Sequence, residues 1–220
     1  MSMPHPDHDF SQLKPLLRGW LHTVTAPLAL VAGAVLIALA PHRQARWSVA
    51  VYTATAVLLF GTSALYHRGN WSPRVERLLK RIDHSNIFLI IAGSYTPFAV
   101  LLLDGQTRDL VLWVVWGGAI AGVLFRVAWV GAPRWLYTPL YIALGWVAVF
   151  FLPAFARTGG VAVLVLIAIG GLFYSAGGVI YALKRPNPSP RYFGFHEIFH
   201  LLTVLAFICQ YVAISIATYR

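Results

Sequence analysis

Seven apolar runs, each long enough to cross a bilayer as a helix, dominate this 220-residue sequence. The hydrocarbon core of a membrane is about 30 Å thick, so a spanning helix needs about 20 predominantly apolar residues. None of the runs alternates polar and apolar side chains as the strands of an outer-membrane barrel do. The sequence therefore predicts an all-α integral membrane protein, a seven-transmembrane helix bundle with spans at residues 19–39, 47–67, 82–103, 110–130, 135–156, 161–183 and 195–219.

The composition excludes the main alternatives to a membrane protein. Hydrophobic residues make up 59% of the chain and charged residues only 11%, against about 25% charged residues in soluble domains. A soluble domain of this size has too little interior to bury so much apolar surface, and disorder requires low hydrophobicity and high charge. Cys209 is the one cysteine, so an internal disulfide is excluded.

Basic residues lie in the gaps between the apolar runs and predict how the bundle is oriented. The net charge is +10, which in a soluble protein would suggest nucleic acid. Eleven Lys and Arg residues flank the spans on the N-terminal side and five on the other side, while Arg126 lies inside a span. The positive-inside rule then predicts a cytoplasmic N-terminus and, after seven spans, a C-terminus outside. Contacts with membrane lipid are expected, and nucleic-acid binding is not.

The chain is predicted to form a single domain. Residues 1–18 are polar and are expected to form a flexible cytoplasmic N-terminal segment, and residues 19–220 the seven-helix transmembrane domain. The longest connection, residues 68–81, contains a helix-opening Ser72-Pro73 pair and an apolar face. It predicts a short separate helix lying at the membrane interface.

A few ionisable and polar residues lie inside the spans, where they are costly and therefore point to function. Ser63 and His67 fall at the cytoplasmic end of the second span, and Asp83 falls at the cytoplasmic start of the third. His196 and His200 fall in the first turns of the seventh span, which also starts inside. All five are therefore expected in one layer near the cytoplasmic face.

The spacing of the histidines predicts a zinc site. His196 and His200 are four residues apart and share one helix face, which is how a helix presents two imidazoles to one metal ion. With His67 they make three protein ligands, and three ligands plus an open position is the pattern of a catalytic zinc site. Asp83 is the candidate base or orienting group for a water at the open position, because bound Zn²⁺ lowers the pKa of water to about 7.

Other polar residues allow alternative interpretations. Residues 196–200 spell the HExxH pattern of metalloproteases, in which Glu197 would be the base. That interpretation leaves Asp83 unexplained, and Glu197 is instead expected to face the loop or headgroups at the cytoplasmic rim. His84 is expected to be an interfacial residue, His22 a helix-packing residue beside the site, and Arg126 a side chain that extends to the headgroups.

Three blocks of this sequence resemble the signature of the hemolysin III family, the bacterial branch of the progestin and adipoQ receptor family. The blocks are Ser63-Ala64-Leu65-Tyr66-His67, Asp83-His84-Ser85 with the segment 93–98, and His196-Glu197-Ile198-Phe199-His200. The resemblance implies a seven-helix bundle in the bacterial inner membrane with a cytoplasmic N-terminus. It also implies zinc held by His67, His196 and His200, a water contact from Asp83, and a nearby role for Ser63.

The resemblance also implies a chemistry, because the family is grouped with alkaline ceramidases among proposed membrane hydrolases. The expected reaction is hydrolysis of a lipid amide or ester, with Asp83 handling the proton and Ser63 helping to position water or the oxyanion. Two alternatives stay open at this point. One is a non-enzymatic sensor or regulator of membrane homeostasis, and the other is the cytolytic pore that the name hemolysin suggests.

Overall fold

The computed structural model describes residues 15–220, and all of its regular structure is helical. Most of the predicted flexible segment, residues 1–18, lies outside the described residues. Its last part is attached to the bundle, because the amides of Leu16 and Leu17 donate to the carbonyls of Arg191 and Tyr192 at 3.0 and 3.3 Å.

The helices are α1 Trp20–Leu39, α2 Arg43–Arg68, α3 Pro73–Leu102, α4 Gly105–Ala128, α5 Arg134–Gly145, α6 Leu152–Leu183 and α7 Phe195–Thr218, with a 3₁₀ segment Trp146–Phe151 between α5 and α6.

Local chemistry explains where several of these helices begin. The side chain of His42 accepts a hydrogen bond from the Ala45 amide at 3.2 Å and caps α2. Pro73 occupies the first turn of α3, where its missing N–H is not needed. At the start of α7 the Glu197 carboxylate accepts the Gly194 amide at 2.8 Å. This contact satisfies a backbone donor that would otherwise be unpaired.

The predicted interfacial helix after residue 68 is part of α3, not a separate element. Helix α3 begins at Pro73 and continues without a break to Leu102, a length of 30 residues. At 1.5 Å per residue it is about 45 Å long, which exceeds the hydrocarbon core of a bilayer. The apolar run begins only near residue 82, whereas the helix already begins at Pro73. The first turns of α3 therefore lie outside the apolar run.

The bundle exposes many large apolar side chains and buries several polar ones beside its apolar core. Phe150, Trp113 and Val161 are 83, 79 and 76% exposed, whereas Arg126 and Glu197 are 0 and 1% exposed. Such an apolar outer surface suits hydrocarbon, and the polar residues face the bundle interior as expected for membrane helices. Within residues 15–220, six helical runs are long and apolar enough to cross a membrane.

That number is one fewer than the seven predicted spans, because the fifth and sixth lie in one helical run from Arg134 to Leu183. The run is not a straight rod. Gly160 breaks the helical geometry with φ 74° and ψ 173°, a conformation that glycine adopts most easily. The Trp146 indole donates to the Ser175 hydroxyl at 2.8 Å, and Thr138 lies beside Gly178. The two halves of the run therefore lie side by side and antiparallel.

Helix α7 occupies a central place in the bundle. It packs against α6, α3 and α1, while α2 packs between α1 and α3. Tyrosines tie these layers together: the Tyr52 hydroxyl of α2 donates to the Phe207 carbonyl of α7 at 3.3 Å. The Tyr95 hydroxyl of α3 donates to the Gly145 carbonyl and accepts the Ala148 amide, both at 2.6 Å. Because α2, α3 and α7 are neighbours, their ends can form one site.

Candidate functional site

The structure brings together the three histidines predicted as metal ligands. One ring nitrogen from each of His67, His196 and His200 lies within 4.8 Å of the others, and all three rings are buried. His67 comes from the last turns of α2, and the two α7 histidines come from its first turns. The four-residue spacing of His196 and His200 puts both rings on the α7 face that meets α2.

The three histidines could hold a metal ion. Zn–N distances are about 2.0–2.1 Å, so two nitrogens in a tetrahedral site lie about 3.3–3.4 Å apart. The Nε2 atoms of His67 and His196 are 3.3 Å apart. Three imidazoles without a fourth protein ligand match the open type of zinc site, and among the described residues no other group of three ligating side chains is present.

Asp83 and Ser63 form a pair beside the histidines. The Ser63 hydroxyl of α2 interacts with the Asp83 carboxylate of α3. Both side chains are buried, and both line the same cavity as His196 and His200. A buried carboxylate is costly without partners, so Asp83 is a candidate functional residue.

The cavity next to this pair extends away from the histidines into the bundle. Its volume is about 120 Å³, and it runs along α3 from Asp83 to Phe98. These residues are 15 positions apart, which corresponds to about 22 Å along a helix. Its far walls are apolar and include Ile91, Phe155 and Ile167. The cavity thus has a polar end beside Asp83 and a largely apolar far end.

His22 of α1 contacts the cluster without belonging to it. Its ring stacks on His200 with centroids 3.8 Å apart and planes inclined by 12°. It makes only a weak contact with the His200 backbone, and neither of its buried ring nitrogens has a hydrogen bond of normal geometry in the described part of the chain. The stacking agrees with the helix-packing role expected for His22.

The sequence suggested that Glu197 faces the loop or the headgroups, and this expectation was wrong. It is 1% exposed, it accepts the Gly194 amide, and it forms an ion pair with Arg18, which precedes α1. Both carboxylate oxygens are therefore engaged by partners other than the histidines. The ion pair holds the segment before α1 against the start of α7.

The expectations for His84 and Arg126 were also wrong. Arg126 is fully buried and does not extend to the headgroups. It donates to the Nδ1 atom of His84 at 2.7 Å, and the Tyr181 hydroxyl lies 3.4 Å from the Nε2 atom of the same ring. His84 is accordingly an interior residue. The position of Arg126 inside an apolar run indicated that it has polar partners in the bundle interior. The sequence could not show that one of these partners is His84 of α3.

The chain is similar over most of its length to known proteins. The family described as Haemolysin-III related matches residues 10–211. The Hemolysin-3 homolog of Bacillus subtilis (strain 168) is 32% identical over 168 residues, which is 74% of this chain and 78% of that protein. Hemolysin-3 of Bacillus cereus is 31% identical over 187 residues, 83% of this chain and 82% of the relative.

Proposed function

The chain belongs to the haemolysin III family, and from this premise we propose that it is a zinc-dependent hydrolase of a lipid amide or ester. The observation that carries the proposal is the cluster of His67, His196 and His200, since two of its members, His196 and His200, line the same cavity as the buried Asp83 carboxylate. A metal-ligand set with an open position, a potential base and a hydrocarbon-sized cavity are the three components that hydrolysis of a lipid requires.

The proposed chemistry divides the work among the residues of the site. Zinc, when held by the three histidines, would act as a Lewis acid and activate water at neutral pH. Asp83 orients the attacking water by a hydrogen bond and accepts its proton. Ser63 donates to Asp83 and so keeps the carboxylate in one orientation, ready for the proton transfer. The apolar cavity binds the acyl chain and excludes bulk water, which strengthens the electrostatic interactions at the polar end.

We further propose seven membrane crossings with the site near the cytoplasm. The reversal at Gly160 supports two crossings within the run from Arg134 to Leu183. The excess of basic residues on the N-terminal side supports a cytoplasmic N-terminus. Because the relatives are bacterial proteins, the plasma membrane of a bacterium is the proposed location, and a membrane lipid is the proposed substrate.

A second function is supported by the placement of the ligands on two helices. A metal ion held by His67 of α2 and by the α7 histidines would cross-link residues far apart in the chain, and such a link can stabilise one arrangement of the bundle. In this alternative the protein senses or regulates the state of the membrane without catalysis, and Asp83 has no reacting partner.

The test is lipid turnover by the purified, zinc-loaded protein in vesicles made from bacterial lipid extract. We expect one class of lipid to be lost, a fatty acid to be released, and chelation of the metal to stop both. Asp83→Asn should lower the rate at least about 100-fold, as loss of a general base does. The matched control is Asp109→Asn, because Asp109 is exposed and pairs only with Arg108.

Three results would contradict the hydrolase proposal. Unchanged lipids in every sample would favour the non-enzymatic regulator. Equal turnover by the wild type and Asp83→Asn would remove Asp83 from the mechanism. Since two relatives bear the name hemolysin-3, release of a trapped dye from the same vesicles without lipid turnover would favour pore formation.

A further inference from the structure

A second cavity opens at the histidine end of the bundle, and its walls are polar and basic. Its volume is about 590 Å³. Four basic side chains and one acidic side chain line it, namely Arg18, Lys80, Arg126, Arg134 and Glu76. We call this cavity the basic vestibule. Since Arg18 is already paired with Glu197, the other three cations of the vestibule have no carboxylate partner within residues 15–220, namely Lys80, Arg126 and Arg134.

Arg126 is the residue that needs an explanation. It is 0% exposed, and a buried guanidinium without a counterion is strongly unfavourable. It donates to the Trp129 and Val130 carbonyls, both at 3.3 Å, and to His84, but all these acceptors are uncharged when His84 is neutral. Its Nε atom is buried without a hydrogen-bond partner in the described part of the chain. Contacts with the end of α4 therefore account for only part of its hydrogen-bonding capacity.

The other cations converge on the same region. Arg126, Lys80 and Arg134 all act electrostatically on the His84 side chain. Arg134 donates to the Tyr181 carbonyl at 3.3 Å and has no carboxylate partner among the described residues. The vestibule is also bordered by Pro133 and Arg134 at the start of the 12-residue helix α5, where unpaired backbone amides add positive potential.

We propose that the basic vestibule binds a phosphate group, held by Arg126, Arg134 and Lys80. The planar guanidinium donates two parallel hydrogen bonds to a phosphate, and the lysine adds a point charge. A phosphate dianion would neutralise most of the unpaired charge of these three side chains. The phosphate belongs either to a lipid headgroup or to free inorganic phosphate.

The position of the vestibule favours the lipid as the source. His84, Tyr137, Tyr181 and His196 line both the vestibule and the apolar cavity, so the two cavities meet beside the histidine cluster. A phospholipid can place its phosphate in the vestibule and one acyl chain in the apolar cavity, with the bond between them near Asp83. This inference rests on the proposed function and deepens it by naming the headgroup class.

The experiment measures binding, not turnover, so that it can fail independently of the hydrolase proposal. Detergent-purified protein is titrated with phosphatidic acid, with phosphatidylcholine of the same acyl chains, and with inorganic phosphate. The lipid-bound fraction is read by native mass spectrometry, and phosphate binding is read by equilibrium dialysis. The wild type should retain one phosphatidic acid per chain, with at least tenfold preference over phosphatidylcholine.

The double variant Lys80→Gln/Arg134→Gln should lose the preference at least tenfold. These side chains are partly exposed, so the variant is expected to fold, whereas Arg126→Gln carries a greater risk. Arg108→Gln, which removes an exposed cation elsewhere, is the matched control and should bind as the wild type does. Wild-type binding of inorganic phosphate without preference for phosphatidic acid would retain the site and identify free phosphate as its ligand. If neither probe binds the wild type more tightly than the double variant, the proposal is wrong.

Discussion

At the scale of single residues, His67, His196 and His200 present ring nitrogens close enough to share one ion. We expect purified protein to contain about one zinc per chain, as a three-histidine site predicts. His196→Ala combined with His200→Ala should bring the metal content close to zero, because one remaining imidazole cannot hold zinc tightly. The measurement is elemental analysis by mass spectrometry. His42→Ala, which changes a histidine outside the cluster, should retain the full metal content.

Asp83 and Glu197 should differ when each carboxylate is replaced by its amide. Asp83→Asn should keep most of the zinc and lose hydrolysis. Glu197→Gln should keep both zinc and most activity but lose about 1–3 kcal/mol of stability, since it weakens buried hydrogen bonds to Arg18 and Gly194. Thermal unfolding and metal analysis on the same samples separate the two effects. An inactive Glu197→Gln protein beside an active Asp83→Asn protein would restore the metalloprotease interpretation.

Spacing and depth were enough to predict which histidines meet, because both are properties of a single helix. The i,i+4 spacing puts His196 and His200 on one face of a helix. The direction of each span predicts that His67 lies at the same depth in the membrane. The same reasoning missed the contact between His84 and Arg126, because it depends on how α3 and α4 rotate against each other. It also missed the pairing of Glu197 with Arg18, since the two residues are 179 positions apart in the sequence.

At the scale of helices, glycines on α4 separate a packed face from a free one. A Cβ added at Gly122 would collide with the ring of Phe88 on α3, whereas one added at Gly117 would meet no atom within 4 Å. Small residues allow membrane helices to approach closely. Gly122→Ala should therefore cost about 1–3 kcal/mol, and Gly117→Ala should be neutral or slightly stabilising. Comparing thermal unfolding of the two variants in one detergent tests this, and equal midpoints would contradict the packing of α4 on α3.

The ends of helices were predicted less well than their existence. Hydropathy indicates where apolar side chains stop, but α3 continues through the charged residues before Ile82 because its backbone hydrogen bonds continue. The opposite difficulty arises between α5 and α6. Apolar residues run almost continuously there, while Gly160 changes the direction of the backbone. Composition cannot indicate such a reversal, because it depends on one φ angle and on contacts such as that between Trp146 and Ser175.

At the scale of the whole molecule, the reversal at Gly160 predicts which residues a reagent can reach from outside. In a Cys209→Ser background, Arg157→Cys should react with a membrane-impermeant maleimide added to intact cells. Arg185→Cys should react only after the cells are opened, because two crossings return the chain to the cytoplasm. Labelling of Arg185→Cys in intact cells would mean that the run from Arg134 to Leu183 crosses the membrane once.

The orientation of the complete bundle has its own test. The proposed topology, with seven crossings from a cytoplasmic N-terminus, would put the end of α7 outside. Alkaline phosphatase, which is active only in the periplasm, should therefore be active when fused after Arg220, and a cytoplasm-dependent fluorescent reporter should be dark. Fusions after Lys184 provide the matched control and should give the reverse pattern. The opposite results at both positions would move the histidine cluster to the outer face.

The three histidines also set an order of events during synthesis. His67 is translated 129 residues before His196, so the ribosome makes α3, α4, α5 and α6 before the remaining ligands exist. Until α7 has been made, α2 therefore carries one ligand of the proposed metal site without the other two. The complete ligand set exists only when the first and last parts of the bundle have come together.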